Sequence, residues 1–216
     1  MAAMKFFSQE LGMAATNMYL FLDEDTGKAV VFDAPDRAFE LMQHIQKEHP
    51  FELEALYLTH GHWDHMMDAW RFAEAGIPVY GHEDDRELFE DAEKQASFFF
   101  GDMSLKSVKI DHWLELGDSL EILGRKTQVR HVPGHCPGNV LFYMPELELA
   151  VVGDAIFAGS IGRTDLPGGS MAVLENSIRS QIYSLPESTQ LLSGHGPVTT
   201  VANEKATNPH VRPLDD

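Results

Sequence analysis

An apolar run at residues 53–58 opens directly onto His60, His62, Asp64 and His65, and no other stretch restricts the chain as strongly. Three imidazoles and a carboxylate within six residues are the nitrogen and oxygen donors that zinc and its neighbours prefer. In an extended segment, residues two apart point to one side, so His60 and His62 are placed to grip a single ion. Asp64 and His65 begin a helical pattern and face a second position. The competing reading is a histidine-rich surface loop, which needs no partners elsewhere in the chain.

Partners do exist. His135 in Val132-Pro-Gly-His-Cys-Pro-Gly138, Asp154 in Val151-Val-Gly-Asp154 and His195 in Ser193-Gly-His-Gly-Pro197 share one design. Each potential ligand follows an apolar strand and adjoins glycine or proline, so the backbone can bend and the side chain can project from a strand end. Any one of these is a weak signal. Together, four strand-end sites offer five histidines and two aspartates.

The elements between them alternate. Residues 18–22 and 29–32 read as strands joined through Gly27, and Asp36 is expected to cap a helix over 37–47 with Phe39, Leu41, Met42 and Ile45 on its apolar side. After the strand 53–58, a helix over 65–75 ends at Gly76, and 77–80 forms the next strand. Residues 84–97 read as an acidic helix with Leu88, Phe89, Ala92 and Ala96 inward. Phe98-Phe-Phe100 follows, as core packing or as an aromatic wall facing a substrate. The second half has short strands at 119–123, 126–132, 139–143 and 147–152, a helix over 172–185 stopped by Pro186, and a last strand at 190–192. This strand–helix alternation is α/β layering, with two similar halves and no linker, so 1–216 is expected to be a single domain.

A formal net charge of −18 leaves no basic stripe to displace counterions, which argues against a nucleic-acid partner. No apolar run approaches the length of a membrane span, and residues 1–7 lack a signal-like apolar core. The single cysteine, Cys136, excludes an internal disulfide and fits a reducing cytoplasm. The oligomeric state is not encoded in any pattern of this kind.

The ligand set resembles that of the metallo-β-lactamase-fold hydrolases. Residues 60–65 match their His-x-His-x-Asp-His motif, and His135, Asp154 and His195 match the later ligands in order. The resemblance covers the chain from Asn17 to Asn208-Pro209. It implies a four-layer αββα sandwich of two mixed β-sheets with helices on the outer faces. By position, His60, His62 and His135 would hold one metal ion, Asp64, His65 and His195 a second, and Asp154 would bridge them. The stretch from Gly153 to Gly169, with Gly162-Arg-Thr-Asp165, is similar to the glyoxalase II-like branch in its compact bacterial form without a C-terminal helical domain. The tail with Glu204-Lys205 and Asn208-Pro209 is similar to the same group. The chain departs from that pattern at Met66-Met67-Asp68, where small residues are common, and at His210, where an apolar aromatic is common.

The resemblance implies a hydrolase with two divalent ions, zinc first, with iron or manganese as alternatives. A water shared by the ions, its pKa lowered from about 15.7 toward 7, would attack a thioester carbonyl such as that of S-lactoylglutathione. Asp64 and Asp154 serve as ligands that accept hydrogen bonds from the nucleophile. Arg163 could clamp a substrate carboxylate or pair with Asp165, and Lys205 is a further anion-binding residue. Tyr80, His82 and His131 read as structural, with His131 able to orient a ligand, and Cys136 as a packing residue. The alternatives are a mononuclear iron persulfide dioxygenase using His60, His135 and Asp154, a lactonase or weak β-lactamase, and a non-enzymatic di-iron redox partner.

Overall fold

The computed structural model describes residues 4–95, 105–115, 117 and 119–214, and the chain divides into two compact units, Met1–Trp113 and Leu114–Asp216. Phe98-Phe-Phe100 and Ala96 lie outside the described residues. Among the described residues no helix is long and apolar enough to cross a membrane.

The first unit is built on a six-stranded mixed sheet in the order β1 (Met4–Leu11), β2 (Thr16–Asp23), β3 (Lys28–Phe32), β4 (Glu52–Tyr57), β5 (Val79–His82), β6 (His112–Leu114), with the unit boundary inside β6. β1, β2 and β3 pair antiparallel, while β3, β4 and β5 run parallel, as strands separated by helices must. The helices are α1 (Ala38–Glu48), α2 (Trp63–Met66), α3 (Ala69–Glu74) and α4 (Arg86–Glu90). Side chains alternate along each strand. Met18, Leu20 and Leu22 join Val31, Leu56 and Leu58 under Met42, Ile45 and Phe72. The intervening positions form a run of rings, Phe21–Phe32 at 5.4 Å, Phe32–Tyr57 at 5.4 Å and Tyr57–Tyr80 at 4.6 Å. Both faces of β2 are therefore buried, which is why its sequence is apolar without alternation.

Four expectations change here. β1 is an added edge strand whose largely exposed, mixed composition hides it from periodicity. The helix expected over 65–75 is two helices, α2 and α3. Across the break, the main chain bonds instead to the segment after β3, with Ala34 N donating to His65 O at 2.8 Å and Asp68 N donating to Ala34 O at 2.9 Å. The N-cap of α1 is Arg37 at φ 68°, not Asp36, and the amide of Phe39 is satisfied by Asp68 Oδ2 at 2.8 Å. That acceptor lies outside the helix, beyond the reach of a local capping rule. The acidic helix expected over 84–97 begins later, at Arg86, after a short 3₁₀ turn over Glu83–Asp85, and α4 ends at Glu90.

The second unit carries the other six-stranded mixed sheet, in the order β14 (Thr199–Thr200), β13 (Gln190–Ser193), β10 (Leu149–Gly153), β9 (Val140–Met144), β8 (Arg125–His131), β7 (Ser119–Ile122). Only β10 and β13 pair in parallel; the other neighbours are antiparallel. Three features were not anticipated: the strand β14 beyond the one expected to be last, a short hairpin of β11 (Ile156–Phe157) and β12 (Ser160–Ile161), and a last helix, α6 (Val201–Thr207). The helix expected over 172–185 is α5 (Met171–Ser177), continued as a π-helical stretch over Ile178–Ile182. Its Leu174, Ile178 and Ile182 pack with Leu141, Ala150, Val152, Leu191 and Val201. Each such fully buried Leu or Ile contributes about 1.5–3 kcal/mol.

Candidate metal centre

In the first unit, β4 delivers Thr59 and His60 to the end of the sheet, and α2 starts three residues after His60, so a single strand-to-helix connection carries all four donors. The turn is held by acceptors that the local sequence does not supply. Asp33, at φ 58° just after β3, accepts from Thr59 N at 2.8 Å and from Thr59 Oγ1 at 2.9 Å to its Oδ2. A non-glycine residue in this left-handed region costs about 1–2 kcal/mol, which the buried bonds offset. Thr59 has one hydroxyl proton. With that proton on Asp33, Thr59 Oγ1 accepts from His60 Nδ1 at 3.0 Å, an assignment made from the partners. Asp33 Oδ2 also accepts from His65 Nδ1 at 2.8 Å.

His60 and His65, both fully buried, thus have Nδ1 occupied as a donor and Nε2 as the ring nitrogen able to bind an ion. Their rings lie 4.0 Å apart, and His62 stands edge-on to His60 at 4.8 Å. Thr16 Oγ1, buried at the start of β2, donates to Asp64 Oδ2 at 2.8 Å, and that oxygen lies 3.5 Å from His65 Nε2. Gly61 has no room for a side chain, since a Cβ there would meet Leu88 Cβ at 2.7 Å. Its amide donates to Asp85 Oδ2 at 2.8 Å.

The second unit brings together donors that are distant in sequence. β8 leads into the loop of His135, where His131 Nε2 lies 2.6 Å from Pro137 O. His131 thus braces that loop through its backbone. Gly134, at φ 126°, lies against α5, and a Cβ there would meet Leu174 N at 2.3 Å. β10 ends at Gly153, at φ 55°, and presents Asp154, whose amide donates to Asn139 Oδ1 at 3.3 Å. Asp154 Oδ2 lies 3.5 Å from His135 Nε2 and 3.3 Å from His195 Nε2. His135 Nδ1 donates to the carbonyl of Arg163 at 2.8 Å, and the His195 ring meets Phe157 edge-on at 5.7 Å.

These spacings test whether the donors suit an ion. Two donors bound to one tetrahedral ion at about 2.0–2.1 Å stand about 3.4 Å apart. The three nitrogen–oxygen distances of 3.5, 3.5 and 3.3 Å have that length, longer than good hydrogen bonds between the same atoms. The donor set fits a divalent ion of the zinc, iron or manganese kind.

The Arg163 guanidinium makes a bidentate pair with Asp165, at 2.7 and 2.8 Å, and holds its carboxyl down at about 2. Lys205 Nζ lies 3.8 Å from Glu187 Oε1. Tyr80 stacks between Tyr57 and His112, His82 is buried with its Nδ1 accepting from Asp84 N at 3.3 Å, and Cys136 is buried. The sequence reading missed Asp33, Thr16 and Thr59, and it missed the carbonyl role of Arg163. The one local signal was Gly162, beside which a Cβ would stand 1.9 Å from Asp154 O and 3.0 Å from the His135 ring.

The family model of the metallo-beta-lactamase superfamily matches residues 11–195. The "Hydroxyacylglutathione hydrolase GloC" of Haemophilus influenzae is 36% identical over 189 residues, covering 86% of this chain and 88% of that protein. The solved structure of "BLEG-1 B3 metallo-beta-lactamase" aligns with a TM-score of 0.88 at 37% identity, covering 95% of this chain and 98% of that one. The structure of "TTHA1623 in a di-iron-bound form" aligns with a TM-score of 0.82 at 35% identity, covering 95% and 100%.

Proposed function

The chain belongs to the metallo-beta-lactamase superfamily and has its fold, two mixed sheets with helices, and from that premise we propose a binuclear metal-dependent hydrolase of thioesters. The substrate class is a hydroxyacylglutathione, with S-lactoylglutathione as our first choice within it. The observation that carries the metal part is the tetrahedral-edge spacing of donors whose histidines are fixed through Nδ1. Support for the substrate class comes from the relative named hydroxyacylglutathione hydrolase and from the 153–169 stretch.

In this reading His60, His62 and His135 hold one ion, Asp64, His65 and His195 the other, and Asp154 both. Joining the two groups of donors rests on their order in the family motif. When bound, two divalent ions supply Lewis acidity toward a carbonyl oxygen and bring the pKa of water from about 15.7 toward 7. Asp33 and Thr59 keep His65 and His60 in the tautomer that exposes Nε2, and the Arg163 carbonyl does the same for His135. Thr16 donates to Asp64 Oδ2 and so fixes the orientation of a carboxylate that would serve as a ligand. Thiolate is a good leaving group, which suits a site where no side chain is assigned as a strong general acid. Arg163 and Lys205 are our choices for the glutathione carboxylates, each by exchanging its present acidic partner for substrate. We further propose a small-molecule substrate, with neither nucleic acid nor membrane as partner, and a cytoplasmic setting consistent with one buried cysteine.

A second reading has its own observation: the 37%-identical neighbour is named a B3 metallo-beta-lactamase, so a lactam amide competes with a thioester. Metal analysis of protein purified without added metal, followed by thiol release from S-lactoylglutathione, ring opening of a chromogenic β-lactam and oxygen uptake with glutathione persulfide, separates the readings. We expect two ions per chain and thiol release, abolished by His62→Ala or Asp154→Ala in protein that remains folded. Thiol release retained in both variants, or absent from metal-loaded wild type, overturns the proposal. Oxygen uptake with one iron per chain would replace it with a dioxygenase.

A further inference from the structure

The hairpin β11–β12 has only two residue pairs, Ile156–Ile161 and Phe157–Ser160, and so few pairs cannot define its own position. It nevertheless carries two contacts to the proposed ligands. Phe157 meets the His195 ring, and the chain leaving Ile161 passes Gly162 to place the Arg163 carbonyl on His135 Nδ1. What locates the hairpin is remote in sequence.

Glu204, on α6, is 0% exposed, and both of its oxygens accept bonds from uncharged donors. Oε2 accepts from Gly159 N at 3.0 Å, at the tip of the hairpin, and from Asn208 Nδ2 at 2.9 Å. Oε1 accepts from Thr199 Oγ1 at 2.6 Å and Asn203 Nδ2 at 2.8 Å. Asn208 Nδ2 also donates to Ser160 O at 3.0 Å, while its Oδ1 accepts from His210 N and Val211 N. On the other side of the hairpin, Ser193 Oγ donates to Ile156 O at 2.6 Å, two residues before His195. Burying a carboxylate costs several kcal/mol unless every lone pair is used, so an apolar residue would fill this space at less cost. The carboxylate offers what an apolar residue cannot, a directional clamp on Gly159 and Asn208.

We propose that Glu204 is a positioning residue for the metal centre: it locks the hairpin tip, and through the hairpin it sets the orientation of His135 and His195. The proposal rests on the reading of those histidines as metal ligands. It also gives Glu204 and Asn208 a role that needs no contact with substrate.

Zinc titration of the full chain against a chromophoric chelator, in parallel with thermal melts, tests it. Glu204→Gln keeps the shape but turns an NH₂ toward a donor. It should weaken zinc binding by about 10–100-fold, the usual cost of losing a partner that orients a ligand. Ile182→Val, a core change in the same unit, serves as the stability control and should lower Tm with zinc affinity within about twofold of wild type. If Glu204→Gln does not fold, Asn203→Ala removes one of the four bonds and should weaken zinc binding about fivefold. Wild-type affinity in Glu204→Gln, or in Asn203→Ala where that variant is used, overturns the proposal, as does equal weakening in Ile182→Val. A wild-type chain that binds no zinc, iron or manganese instead overturns the metal reading on which the proposal stands.

Discussion

The two units supply their donors in opposite ways. In the first, His60, His62, Asp64 and His65 sit in one turn, and their supports come from far away: Asp33 is 32 residues from His65 and Thr16 is 48 from Asp64. In the second, His135, Asp154 and His195 come from three separate strand ends, and the ring of His135 is held by a main-chain carbonyl in a glycine-lined turn. A compact motif thus depends on side-chain acceptors elsewhere, whereas a dispersed one depends on close backbone packing. Substitutions should therefore act differently in the two units, through hydrogen bonding in the first and through sterics in the second.

The largest effect belongs to Gly162. A methyl group there would collide with the Asp154 carbonyl oxygen, which is backbone and cannot swing aside. Gly162→Ala should cost about 3 kcal/mol or more in a denaturant melt and weaken zinc binding at His135, which we proposed as a ligand. Gly61→Ala would first meet side-chain atoms, Leu88 Cβ at 2.7 Å and Asp85 Cβ at 3.2 Å, rather than backbone, and should cost about 1–3 kcal/mol. Equal costs in the two variants would erase the contrast between the units.

Next in size is Asp33→Asn. Its amide would face His65 Nδ1 or Thr59 with a donor, favouring the tautomer that puts a proton on His65 Nε2. Zinc affinity should fall about 10–100-fold. Thr16→Val should weaken it about tenfold, because a bond to a charged group is lost, and Thr16→Ser should restore it. Unchanged zinc titrations in Asp33→Asn would show that the turn orients its own histidines.

The smallest effect concerns the Arg163–Asp165 pair, which is exposed. The folded-state pKa of Asp165 is depressed to about 2 by the Arg163 hydrogen bonds. A depressed carboxylate contributes stability above its unfolded value, near 4, and loses that contribution as pH falls toward about 2. A ¹³C carboxyl titration should therefore show Asp165 near 2 in wild type and raised in Arg163→Gln, with little change in Tm. A wild-type titration near 4 would show that Arg163 is available to a substrate carboxylate without competition.

Much of this was legible in the sequence. The strands at residues 18–22, 29–32 and 53–58 were readable because apolar runs that short, bounded by turn residues, have few other uses. Donors were readable because imidazole and carboxylate beside glycine at strand ends have a narrow chemistry. The edge strand β1 was not readable, since an edge exposes mixed side chains. Nor was the break between α2 and α3, because the bonds that replace helix bonds there come from Ala34.

By itself, then, the sequence determined the donor types, their order and the apolar strands that carry them, because these follow from residue chemistry and local periodicity. The tertiary structure alone decided which nitrogen of His60, His65 and His135 can bind an ion, since that depends on Asp33 and the Arg163 carbonyl reaching across the fold, Asp33 also turning the Thr59 hydroxyl so that it accepts from the neighbouring His60. It also decided why Gly61, Gly134 and Gly162 bear no side chain and what the buried Glu204 holds. A hydrogen bond or a steric contact between residues far apart in the chain leaves no periodic trace, and only the folded arrangement brings such partners together.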